Sequence, residues 1–128
     1  MSATAILAAA AGGALGSVAR YVLGFYAGVL VGTAFPWGTL FVNVTGSFVI
    51  GALAEAFALR WHVDPAVRIF LITGICGGYT TFSAFSLEVV ALIARGALMP
   101  AAAYIVGSVV VSLAALYAGL FVVRRLLA

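Results

Sequence analysis

Three groups of residues in this chain carry polar chemistry, and each interrupts an otherwise apolar stretch. The first is the run Gly74-Ile75-Cys76-Gly77-Gly78-Tyr79-Thr80-Thr81-Phe82-Ser83-Ala84-Phe85. Its glycines weaken a helix, and Tyr79-Thr80-Thr81 favours extended backbone. A helix broken here would free carbonyl oxygens on one side and N–H groups on the other, which suit cations and anions respectively. The alternative is an unbroken helix on which Gly74 and Gly78 only form a close-packing face. Just beyond, Phe82 and Phe85 stand at i, i+3 on one helix face. A ring is positive at its edge, so two such rings can favour an anion. Packing or lipid-facing rings are the competing reading, opposed by the neighbouring Thr81, Ser83 and Ser86.

The second group is a stripe at successive i+4 spacing, Thr39, Asn43, Ser47 and Gly51. Asn43 brings two N–H donors and a carbonyl, which serve either a passing ion or a neighbouring helix. The third group, Tyr104, Ser108 and Ser112, repeats the i, i+4, i+8 device with neutral hydroxyls. A lone helical serine usually bonds its own i−4 carbonyl; three aligned hydroxyls suggest a polar path. Arg20 stands apart, behind Gly12-Gly13-Ala14-Leu15-Gly16. It lies about eleven residues, roughly 16 Å at 1.5 Å per residue, from the end of its segment. It is either a packing arginine bonded to carbonyls or a positive charge on an anion's approach.

These residues need elements to hold them, and composition says what kind. The 128 residues are 66% hydrophobic and 7% charged, with mean hydropathy +1.31; soluble domains run at roughly 45–50% and 25%. So few charges cannot cover a soluble core, so the chain reads as an all-α integral membrane protein. About 20 apolar residues cross a bilayer as a helix, and four segments qualify, at about 4–31, 38–59, 66–94 and 99–123. They form one four-helix transmembrane domain over 1–128, without a soluble domain or repeat, whose third helix is broken near the midplane. The amino-terminal run lacks the basic region of a signal peptide and joins the first span. Four spans place Arg60, Arg68, Arg124 and Arg125 at one membrane face and Arg95 at the other, which favours cytoplasmic termini. Glu55 is expected at the interface, solvated. Glu88 has no cationic partner on its own helix.

Several functions are excluded. One cysteine allows no internal disulfide, and one histidine with three acids makes no metal cluster. Cys76 reads as a small buried filler and His62 as a loop residue. The arginines are scattered, not gathered into a nucleic-acid footprint. No nucleophile, base and orienting group can be assembled, so the chain is not expected to be an enzyme.

The motifs Gly12-Gly13-x-x-Gly16-x-x-x-Arg20-Tyr21, Gly38-Thr39-Leu40-x-Val42-Asn43-x-x-Gly46-x-Phe48 and Gly74-x-x-Gly77-Gly78-x-Thr80-Thr81-Phe82-Ser83-x-Phe85 resemble the Fluc (CrcB-type) fluoride channels of microbes. The resemblance covers nearly the whole chain in order. It implies an antiparallel homodimer with two fluoride pores and a structural sodium ion at the dimer centre, held by the backbone carbonyls of Gly77 and Thr80. By motif position, the pore would take Phe82 and Phe85, Asn43 beside the ion, Arg20 in the vestibule, and a hydroxyl track of Thr81, Ser83, Tyr104, Ser108 and Ser112. One departure is Ala84, where the family commonly has threonine. The antiparallel arrangement rests on the resemblance, because the arginine count favours a single orientation.

Passive export of fluoride across the plasma membrane, the inner membrane in a Gram-negative cell, is then the expected function, and it would protect against fluoride toxicity. The implied partners are fluoride, membrane lipid and a second copy, with no nucleic acid. A proton-coupled exporter would need an acid midway along the first helix, where this chain has Arg20. A non-transporting subunit would leave the donor stripes unexplained.

Overall fold

A computed structural model describes residues 1–128. Helix α1 spans Ala3–Val31 and is capped by Ser2, whose side chain accepts from the Ala5 N–H at 3.1 Å. It stops at Gly32, whose φ of 98° suits glycine alone. Pro36 precedes α2, Trp37–Leu59. The third segment, α3, runs over residues 65–79. Pro65 opens it at a position where a missing N–H costs nothing. After one turn it is π-helical over Ile69–Cys76 and closes with Gly77–Tyr79. Thr80 and Thr81 then take extended backbone before α4, Phe82–Ala94. Gly96, at φ 81°, turns the chain into α5, Leu98–Leu127.

Four helical segments, Ala3–Val31, Trp37–Leu59, Pro65–Ala94 and Leu98–Leu127, are long and apolar enough to cross a membrane. Only 16 of 128 residues are buried, while large apolar side chains cover the outer surface. Such a surface suits lipid or a second protein, not water. With hydrocarbon outside, helices gain little by hiding apolar side chains from one another, so close backbone packing must hold them together. Two glycine seams do this. In one, α1 lies on α3 with Gly12 against Gly74; a Cβ on Gly12 would stand 2.8 Å from the Gly74 Cα. In the other, α2 lies on α5, with Gly51 against the Leu116 backbone and Gly119 against that of Phe48.

The largest fully buried side chains are Tyr104 and Val42. Tyr104 joins Phe85, Leu92 and Ala101 in a small core between α4 and α5, with Phe35 and Leu40 packed on it. Arg95 donates to the Ala34 carbonyl and ties the two connectors at that end.

The seams give a contrast to test. A side chain at 119 would lie 2.9 Å from the Ala52 nitrogen, whereas nothing lies within 4 Å of one at Gly13. Gly119→Val should therefore cost about 1–3 kcal/mol, the usual price of overpacking. A clear drop in its melting midpoint in detergent is expected, and Gly13→Ala should melt like the parent.

Candidate functional site

The site is organised by two residues that are not helical. Thr80 and Thr81 are extended (φ −89°, ψ 158° and φ −153°, ψ 126°), a conformation β-branched residues accept readily. The N–H and carbonyl of Thr81 leave the helical ladder and need other partners, since an unpaired buried amide costs roughly 1–3 kcal/mol. Asn43 on α2 supplies both. The Thr81 N–H donates to Asn43 Oδ1 at 2.8 Å, and Asn43 Nδ2 donates to the Thr81 carbonyl at 3.0 Å. From α1, Arg20 Nε donates to the Gly78 carbonyl at 3.0 Å. Thr80 folds back on α3, with its N–H and its hydroxyl both donating to the Cys76 carbonyl. The Thr81 hydroxyl caps α4 by accepting from the Ala84 N–H at 3.1 Å.

Beside this interruption lies an open cavity of about 460 Å³ between α2, the α3–α4 junction and α5. Asn43, Thr81, Phe82, Phe85, Ser108 and Ser112 line it, with Gly77 and Thr80 at the interruption. The two phenylalanines differ: Phe85 is 8% exposed and Phe82 77%. Their ring centroids are 5.4 Å apart at 47°. The hydroxyl oxygens of Ser108 and Ser112 are buried and find no partner in the chain. That is unusual, because a helical serine normally bonds its own backbone. Ser47, Thr45 and Ser86 do so here. The cavity is thus lined by neutral hydroxyl donors and phenylalanine rings, a chemistry suited to a small anion.

Comparison with known proteins fits this arrangement. The family described as "CrcB-like protein, Camphor Resistance (CrcB)" matches residues 7–120. This chain belongs to the CrcB family. It is 62% identical over 121 residues to a protein named "Fluoride-specific ion channel FluC" from Nitrobacter winogradskyi, covering 94% of this chain and 96% of that one. Proteins of the same name from Rhizobium meliloti and Rhodospirillum centenum are 56% and 52% identical, covering 94% and 96% of this chain and 97% and 98% of theirs. These CrcB relatives are named as ion channels, not enzymes, and four membrane-length helices make the chain a multi-pass membrane protein.

Within this CrcB chain, three residues expected in the site lie outside the cavity. Ser83 is exposed, its hydroxyl 3.4 Å from that of Thr81. Arg20 is half-buried on the α1 side, bonded to a carbonyl as the packing reading of its position had it. Tyr104, on the same stripe as Ser108 and Ser112, is buried next to Phe85 with ring centroids 5.0 Å apart. Its hydroxyl donates to Glu88 Oε1 at 3.2 Å, and the Thr39 hydroxyl donates to Glu88 Oε2 at 3.0 Å. Glu88 and Thr39 line a second cavity of about 230 Å³ together with Arg95. Glu88 was missed as a partnered residue because its donors come from other helices, although Thr39 already stood on the donor stripe. Glu55, expected to be solvated at the interface, is instead 8% exposed and ion-paired with Arg124 on the last turns of α5 at 3.1 Å.

The Asn43 pairing makes a prediction. Asn43→Ala leaves the Thr81 N–H and carbonyl without partners, at a cost of about 1–3 kcal/mol for each group. The melting midpoint in detergent should fall clearly, and more than for Ser47→Ala, whose hydroxyl bonds only to its own helix.

Proposed function

We propose that this protein is a fluoride-selective channel that lets the anion leave the cytoplasm passively. The observation that carries the reading is the pair of buried, unpartnered hydroxyls, Ser108 and Ser112, on a cavity edged by Phe82 and Phe85. The names of relatives more than 50% identical along nearly the whole chain support it. Fluoride is small and strongly hydrated, so a dry path must replace its water with donors. Hydroxyls and ring edges do this without the deep trap that a buried cation would set. Conduction needs binding strong enough to admit the ion and weak enough to release it. Hydrogen fluoride crosses membranes as a neutral acid and ionises inside, and a negative-inside potential then drives the anion out.

Asn43 works beside this path in two ways. Its amide fixes Thr81, and one of its two Nδ2 hydrogens is left for an ion. Ser83 and Tyr104 would extend the track beyond the cavity, and Arg20 would bring a positive charge near the interruption. Two copies in antiparallel orientation would close the open cavity and give two pores per dimer in the plasma membrane. The interruption between α3 and α4 would then lie at membrane depth, where uncovered backbone must line protein or a cavity.

A sodium ion is also proposed, held by the carbonyls of Gly77 and Thr80. The backbone fits one. The Thr80 carbonyl accepts no hydrogen bond, and the Thr81 N–H that an unbroken helix would send to Gly77 goes to Asn43 instead. Unwound carbonyls of this kind are a recurrent sodium-binding device in membrane proteins. When bound, the ion would supply the positive charge that such oxygens lack.

Liposomes containing the purified protein should release fluoride and retain chloride. Equal release of both, or of neither, would sink the channel reading. Ser108→Ala with Ser112→Ala should slow fluoride release roughly tenfold or more, since hydrogen bonds to a charged group are worth about 1.5–3 kcal/mol. Phe82→Ile should also slow it, and unchanged flux would remove that ring from the path. Rigorous sodium removal should lower the melting midpoint as well as the flux. An identical melt in sodium-free buffer would exclude a structural ion.

A further inference from the structure

An apolar cavity lies away from the proposed conduction path, on the far side of α2. Ala52 follows Asn43 by nine residues, two and a half turns at 3.6 residues per turn, and so faces the opposite way. There α2 and the end of α5 enclose a groove of about 320 Å³, lined by nine residues, all apolar. Phe48, Ala52 and Ala56 form one wall, Val123 and Leu126 the other, and Trp61 from the connector after α2 completes it. Its volume lies at the lower end of the roughly 300–1,000 Å³ usual for ligand pockets.

Charge beside the groove indicates what would fill it. Glu55 adjoins Ala56 and Arg124 adjoins Val123, so their ion pair bridges the same two helices. Arg124 Nε donates to Glu55 Oε1 at 3.1 Å and Nη2 to Oε2 at 3.4 Å. No hydrogen bond within the chain engages Nη1, and the side chain is 65% exposed. The carboxylate thus holds the guanidinium in place and leaves one edge for another anion. Arg60, next to Trp61, Arg68 over the Phe57 ring and Arg125 over the Phe121 ring belong to the same end of the bundle. Four arginines there face two acids, Glu55 and Asp64, so the field favours an anion despite the carboxylate.

We propose that this groove holds an acyl chain of an anionic phospholipid, with the lipid phosphate on the free edge of Arg124. Basic pockets between membrane helices hold anionic headgroups in this way, and the indole of Trp61 suits the boundary between tail and headgroup. A zwitterionic lipid offers the same tail, but its ammonium opposes the arginines. Discrimination therefore resides at Arg124, and affinity for any lipid resides in the groove.

The test is native mass spectrometry of the full chain released from detergent with phosphatidylglycerol or phosphatidylcholine of identical tails. Wild type should retain phosphatidylglycerol over phosphatidylcholine by roughly fivefold, the effect of about one arginine on an anionic lipid. Val49 also lines the groove, so Val49→Trp, which fills it, should lose both lipids. Glu55→Gln with Arg124→Gln keeps the pair neutral and should bring phosphatidylglycerol down to the level of phosphatidylcholine. Equal retention of the two lipids by wild type, or unchanged preference in the double variant, overturns the proposal. So does a Val49→Trp protein that keeps its lipid but changes its oligomeric mass, because a second copy would then be the occupant.

Discussion

The paired hydrogen bonds between Asn43 and Thr81 are the interaction on which the rest of the site depends. An extended residue between two helices must find partners for an N–H and a carbonyl that no ladder supplies. In a membrane-spanning segment, hydrocarbon cannot provide them. One side-chain amide meets both needs because it carries a donor and an acceptor at the spacing of a peptide group. Once Thr81 is fixed, its hydroxyl is placed to cap α4. The direction in which α4 leaves then decides where Phe82 and Phe85 stand. From α1, Arg20 takes the Gly78 carbonyl, so α1 and α2 both converge on the interruption.

That convergence divides the polar groups of the molecule into two kinds. Some are used up in holding the structure: Ser47 and Thr45 on their own helix, Tyr104 and Thr39 on Glu88, and Glu55 on Arg124. Others are left open on the cavity, namely the hydroxyls of Ser108 and Ser112. A buried donor without a partner lowers stability, and these two stand one helical turn apart on the same cavity wall. Tyr104 belongs to the same stripe as these serines yet falls in the first kind, because α4 brings Glu88 within reach of its hydroxyl.

Glycine sets how near the helices can come for this to work. The α1–α3 seam brings Arg20 within one hydrogen bond of Gly78, and the α2–α5 seam brings the serine stripe to the cavity that Asn43 also lines. Larger residues at these seams would separate the same side chains by more than a hydrogen bond tolerates.

The sequence by itself determined the material and its ordering: membrane-length apolar segments, donor stripes at helical spacing, glycines before two threonines, and family motifs specific enough to name the CrcB family. Those features are local, set by hydropathy and by periods of 3.6 residues, and they need no knowledge of neighbours. Which polar residue meets which was decided only by the tertiary structure. Asn43 and Thr81 are 38 residues apart, Arg20 and Gly78 58, and Glu55 and Arg124 69. No period connects such positions. Glu55 could be read as solvated, and Glu88 as lacking a partner on its own helix, because the partner of each lies on a separate helix. A stripe can be read from one helix, but whether its hydroxyls are free or taken depends on the helix packed against it.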